Sequence, residues 1–212
     1  MKYISTRGGV EPVEFRQAVL MGLADDGGLL IPQRIPNVAD RLDEWRELSY
    51  ADLAFEVMRL YAGDLGEGEL RALIDRTYPG AFSPEVAPVA RADETFIMEL
   101  WHGPTLAFKD VALQFLGNLF EHILSGTGGR LNILGATSGD TGSAAIAGVR
   151  GRARMHIFVM HPRGGISDIQ RRQMTTVLDD NVHNIAIDGS FDDCQRIMKT
   201  LAGDLDFKRR YS

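Results

Sequence analysis

From Thr95 onward, short apolar runs alternate with helical patterns, and this alternation limits the available folds more than any other feature of the chain. Residues 96–100, 131–134, 155–160 and 182–187 read as buried strands. A helical pattern runs to Leu124, another begins near Thr141, and two more cover residues 167–177 and 190–201. Ser190 followed by Asp193 fits a capping box, with the acid near the positive end of the helix. Parallel strands need long crossovers, and helices supply them. A β-α-β-α order therefore predicts the α/β class, a parallel sheet with helices on both faces.

Before residue 88 the pattern differs. A short apolar start is followed by a helix opening near Pro12, the turn Gly27-Gly28-Leu29-Leu30-Ile31-Pro32, and two helical stripes. Tyr50, Leu53, Ala54, Val57, Leu60 and Tyr61 form one stripe; Leu70, Leu73 and Ile74 form the other. The expectation is a mostly helical segment over residues 1–87 and an α/β domain over 88–212.

With 212 residues, 44% hydrophobic and 25% charged, the chain can bury a sizeable core, which excludes disorder and collagen. Its 23 basic and 29 acidic residues give a net charge of −6, without the positive excess that draws proteins to nucleic acid. Cys194 is the only cysteine, so neither an internal disulfide nor a cysteine-rich zinc site can form. Near the start of an apolar helix it reads as packing. The first residues lack the apolar stretch of a secretory signal. The apolar run at 111–124 is broken by Gln114, Asn118, Glu121 and His122, too polar and too short to span a bilayer. These features point to a cytoplasmic protein with no membrane partner.

Ligands of open α/β sheets bind beyond the carboxyl ends of the strands, which draws attention to two turns. The first, His102-Gly103-Pro104-Thr105-Leu106-Ala107-Phe108-Lys109-Asp110, puts a lysine in the first turn of an otherwise apolar helix, where the helix dipole disfavours a cation. Two readings are open. Lys109 is either a surface side chain reaching past Phe108 into solvent or a desolvated amine near positive partial charge, suited to form a Schiff base.

The second turn, Gly135-Ala136-Thr137-Ser138-Gly139-Asp140-Thr141-Gly142-Ser143, joins a strand to a helix and concentrates glycines and hydroxyls. Such a turn holds an anion through exposed N–H groups and small donors. It lacks the Gly-Lys-Ser/Thr ending of a P-loop and does not match the dinucleotide fingerprint. The plainer alternative is a helix start capped by Asp140 or Thr141.

These two turns together resemble the threonine-synthase family, pyridoxal-phosphate enzymes of the tryptophan-synthase β type. The resemblance extends to the opening Tyr3-Ile4-Ser5-Thr6-Arg7-Gly8-Gly9, to Gly27-Gly28-Leu29, and to the segment from His161-Pro162 to Gln173-Met174-Thr175-Thr176-Val177. It implies that Lys109 carries pyridoxal phosphate as a Schiff base. It also implies that Ser138, Gly139, Thr141 and Gly142 grip the substrate's α-carboxylate, with Asp140 addressing the cofactor's 3′ oxygen. The implied reaction converts O-phosphohomoserine and water to threonine and phosphate, a carbon–oxygen lyase reaction in threonine biosynthesis. Lys109 would serve as both tether and acid–base. This reading requires the Lys109 amine to face the 138–142 bend.

Arg163, Arg171 and Arg172 are candidates for the substrate phosphate, each weighed against a solvated surface charge. His102 and His161 lack paired ligand spacing, so no metal is expected. Members of the family continue further, and that continuation supplies the glycine-rich loop for the cofactor phosphate and the partner of the pyridine nitrogen. The chain thus resembles the amino-terminal part, its 88–212 domain a partial pyridoxal-phosphate domain, with weak or no activity expected unless the C-terminal half of the same enzyme is supplied. Two alternatives stay open: a non-catalytic relative acting through a partner, and a pyridoxal-phosphate dehydratase of serine or threonine. Exposed apolar surface would favour the fragment, and a charged, closed surface a self-sufficient domain.

Overall fold

The computed structural model describes residues 1–211. The chain divides into two compact units, Met1–Tyr78 and the residues from Pro79 onward. The sequence reading drew its division at 87/88, inside the second unit.

In the first unit, β1 (Tyr3–Ser5) pairs antiparallel with β2 (Leu30–Pro32), in the register Tyr3 with Pro32. The segments read from sequence as an apolar start and a glycine turn are these two strands. Asp26 ties their ends together. Its carboxylate accepts the Ser5 hydroxyl at 2.7 Å and the N–H groups of Gly9 and Gly28 at 2.8 and 2.9 Å. These bonds, the Ser5 hydroxyl first, hold the Asp26 carboxyl below the usual carboxylate range. Gly28 is required there, since a Cβ would collide with the Ser5 hydroxyl.

The helices of this unit are α1 (Phe15–Met21), α2 (Leu42–Trp45), α3 (Tyr50–Met58) and α4 (Glu67–Ala81), the last extending past the division. Ser49 caps α3 by accepting the N–H of Asp52 at 3.2 Å. Leu70, Leu73 and Ile74 of α4 are at most 1% exposed, as their helical spacing predicts, and Tyr78 joins them at 2%. Each such burial stabilises the fold by about 1.5–3 kcal/mol.

The second unit holds two sheets. A hairpin, β3 (Val89–Ala92) with β4 (Thr95–Met98), is antiparallel, in the register Val89 with Met98 and Arg91 with Phe96. This corrects the reading of residues 96–100 as a strand of the parallel sheet. The sequence turns back at Asp93, whose φ is 53°, and Ala92 pairs with Thr95 just beyond it, closing the ladder before a distant strand can. All eight strand residues are exposed, including Val89, Phe96, Ile97 and Met98.

The parallel sheet has the order β5-β6-β7, formed by Leu131–Ala136, Met155–Pro162 and Val182–Ile187. Helices α5 (Asp110–Thr127), α6 (Asp140–Val149), α7 (Asp168–Thr175) and α8 (Phe191–Gly203) alternate with the strands as expected, and a further α9 (Leu205–Tyr211) follows. Helix α6 packs against α5, α7 and β6, and α8 returns across β6 and β5. The Ser190–Asp193 capping box is present, each side chain bonding the other's backbone N–H.

Met155, Ile157 and Val159 of β6 are buried at the centre of this sheet. Buried Asn181 organises the bend between α6 and β6: its amide donates to the carbonyls of Val149, Arg152 and Met155, and its oxygen accepts the N–H of Gly151. Among the described residues no helix is long and apolar enough to cross a membrane.

Candidate active site

Two strand-end segments of the second unit converge. Lys109 is the residue before α5, with helical backbone angles and no capping hydrogen bond from its side chain. Its Nζ lies 2.8 Å from Oδ2 of Asp140, the first residue of α6. The amine therefore faces the 138–142 bend. Lys109 also lies 4.5 Å from the centroid of the Phe108 ring, and its side chain is 29% exposed, so it does not run freely into solvent.

Electrostatics explain the pairing. A cation at the start of α5 opposes the helix dipole, whereas a carboxylate at the start of α6 agrees with it, so Asp140 compensates the misplaced charge. The Lys109 ammonium, first by hydrogen bonding and then by charge, holds the Asp140 carboxyl below its ordinary range, against the opposing effect of partial burial. Beside the pair is an open groove of about 430 Å³, lined by Leu100, Phe108, Val111, Ala112, Leu113, Lys109 and Thr141. An apolar trough with the Lys109 amine on its wall, itself hydrogen-bonded to Asp140, suits a planar ring bearing an aldehyde.

The 137–143 bend is built from within. The Thr137 hydroxyl, on a residue 2% exposed, accepts the N–H groups of Gly139 and Gly142 at 2.9 and 3.0 Å. Asp140 Oδ1 accepts the N–H of Thr141 at 2.9 Å. Three donors that an anion would use are thus engaged inside the chain. The hydroxyls of Ser138 and Thr141 make no hydrogen bond among the described residues, and Ser138 is exposed. Gly139 has φ 146°, open to glycine alone, and a Cβ there would strike the Gln170 side chain from α7. A Cβ on Gly142 would strike Met174.

The other candidates disperse. Arg163 pairs with Asp188 at 2.5 Å and Arg171 with Asp168 at 3.3 Å, while exposed Arg172 makes no ion pair among the described residues. The ring nitrogens of His102 contact the Ser83 carbonyl and the Glu99 carboxylate, at 3.2 and 2.7 Å. His161 is buried on β6. Sequence reading gave no role to Thr137, although a hydroxyl two residues before a glycine is the signature of a local side-chain turn. Nor did it single out Asp110, whose partners are within five residues, or Gln173 of α7, whose partner Thr105 lies on another segment.

Residues 2–78 match the family described as threonine synthase N terminus. The chain is 48% identical to threonine synthase of Pseudomonas aeruginosa over 211 residues, covering 98% of this chain and 45% of that protein. It is 47% identical to the Schizosaccharomyces pombe threonine synthase over 223 residues, covering all of this chain and 43% of that one. The crystal structure of pyridoxal-phosphate-bound threonine synthase from Brucella melitensis superposes with a TM-score of 0.86 at 42% identity, covering 97% of this chain and 45% of that one. The chain thus spans a little under half the length of the curated relatives it matches. By sequence and by fold the chain is similar to the amino-terminal part of the threonine synthases.

Proposed function

We propose that this chain carries the lysine-bearing part of a pyridoxal-phosphate threonine synthase, a cytoplasmic lyase that converts O-phospho-L-homoserine and water to L-threonine and phosphate. The observation that carries the reading is the approach of Lys109 Nζ to Asp140 at the mouth of an apolar groove. When bound, pyridoxal phosphate supplies the electron sink that stabilises charge at the substrate's Cα. Lys109 would hold the aldehyde end and carry protons to and from the substrate's Cα and Cβ. Asp140 would be the residue that meets the 3′ oxygen of the ring. Ser138, Gly139, Thr141 and Gly142 would bind the substrate α-carboxylate, the two glycines seating the bend against Gln170 and Met174.

The site is completed, in this proposal, by polypeptide matching the remaining length of the relatives. The β3–β4 hairpin supports this: Val89, Phe96 and Met98 share one of its faces and are 58–70% exposed. A lone two-stranded hairpin is marginal in water, so an apolar one calls for cover.

The test has two parts. Holoenzyme containing this chain and the remaining length is incubated with pyridoxal phosphate and reduced with borohydride, and the modified peptide is mapped. Attachment at Lys109 is expected; attachment elsewhere overturns the assignment. With O-phosphohomoserine, equal release of phosphate and threonine is expected, and phosphate released without threonine overturns the reaction. If the chain alone turns over as fast as the completed enzyme, the need for the remaining length is refuted.

A further inference from the structure

The turn that carries Lys109 is organised around a carboxylate with no part in the chemistry proposed above. Asp110 is fully buried, and none of its hydrogen-bond partners is a cation. Its Oδ2 accepts the N–H groups of Thr105 and Ala107 at 2.8 and 3.4 Å, and its Oδ1 accepts the Thr105 hydroxyl and the Gln114 amide at 2.8 and 3.1 Å. Gln114 also donates to the Ala144 carbonyl of α6 at 3.2 Å. From α7, Gln173 donates to the Thr105 carbonyl at 3.1 Å. Gly103 leaves the room, since a Cβ there would overlap the Asp110 side chain.

The residues bound by Asp110 Oδ2 flank Leu106. That leucine has φ 60°, a left-handed conformation a branched side chain avoids, and its side chain is 70% exposed, so packing does not hold it there. Strained backbone persists only where its surroundings over-determine it. Here the surroundings are the Asp110 carboxylate, gripping the chain on both sides of the strained residue. Two residues beyond the grip, the chain enters α5 with Lys109 pointed at Asp140.

We infer that Asp110 is a positioning residue for Lys109: it holds the strained Leu106 turn closed and thereby aims the amine at the groove. This rests on the proposed role of Lys109 as the cofactor lysine. The charge has a physical role beyond shape. Four donors converge on two oxygens, an arrangement a carboxylate satisfies and an alanine leaves unmet.

The chain has four lysines, Lys2, Lys109, Lys199 and Lys208, so selectivity is read within one sample. The full chain is treated with limiting pyridoxal phosphate, reduced with borohydride and mapped. Lys109 is expected to be labelled in preference to the other three. In Asp110→Ala, the ratio of Lys109 to Lys2 labelling is expected to fall about tenfold, the scale of a lost orientation. Adding Leu106→Gly to that variant is expected to restore most of the ratio, because glycine adopts the same φ without strain.

A folded Asp110→Ala variant with the wild-type ratio overturns the inference, as does a double variant with no recovery, since a merely structural role is not repaired by relieving one backbone angle. Should Asp110→Ala lose its near-ultraviolet circular dichroism, Thr105→Val decides, removing one donor at equal volume. A ratio reduced about threefold supports the inference, and an unchanged ratio overturns it. If the wild-type chain shows no preference for Lys109, the reading of Lys109 itself fails, an outcome distinct from a failure confined to the variants.

Discussion

Gly117 of α5 and Gly148 of α6 meet backbone to backbone: a Cβ on Gly117 would run into the Gly148 carbonyl oxygen, and one on Gly148 would lie 2.6 Å from the Leu113 carbonyl oxygen. These two glycines set the spacing of the helices whose first turns bear Lys109 and Asp140. Gly117→Ala is expected to force the helices apart and destabilise the fold by about 2–3 kcal/mol, even though alanine is the better helix former. A urea-unfolding midpoint equal to or above that of the wild type would refute the close contact.

Asp140 leads to a pH prediction. Its carboxyl is held below the ordinary aspartate value, so its pairing stabilises the fold above about pH 4 and is lost as pH falls through the lowered folded value. The side chain is 37% exposed, which limits the effect to about 1 kcal/mol or less. The stability difference between wild type and Asp140→Asn should be constant from neutral pH down to about 5 and disappear on further acidification. A difference that instead grows in acid would reverse the assigned sign.

Asn181 offers a test away from the groove. Asn181→Ala strands the carbonyls of Val149, Arg152 and Met155 in a buried bend and should cost about 1–3 kcal/mol. Hydrogen exchange is expected to rise first at the N–H of Gly151, which loses its acceptor. Uniform exchange across the unit would assign Asn181 no local role.

Thr137→Val keeps the volume and removes the hydroxyl that accepts from Gly139 and Gly142. The expected loss is about 1–2 kcal/mol of stability. Under the proposed function, in which the bend binds the substrate carboxylate in ground and transition states alike, the same change in the completed enzyme should raise KM for O-phosphohomoserine more than it lowers kcat. A pure kcat effect would place Thr137 in the chemistry instead.

Much of this architecture was legible locally. Strands β5, β6 and β7 and the helices between them follow from runs of residues such as Met155, Ile157 and Val159, whose burial needs no distant information. Ser190 and Asp193 announce the start of α8 because a cap and its partner are three residues apart. The hairpin was not legible. The apolar residues from Phe96 to Met98 state that a strand forms but not which neighbour pairs with it, since pairing is a choice among segments far apart in sequence.

The same distinction applies to the site. The residues of the two turns, with a lysine against a helix dipole and glycines among hydroxyls, were set by the sequence alone, because dipoles, caps and glycine conformations act over a few residues. Only tertiary structure decided that Lys109 meets Asp140 across 31 residues, and that Gln114 and Gln173 tie the Lys109 turn to α6 and α7. The reason is that each of these bonds joins one helix or turn to another and so depends on where they come to rest; for α5 and α6 the close contact of Gly117 with Gly148 sets that position.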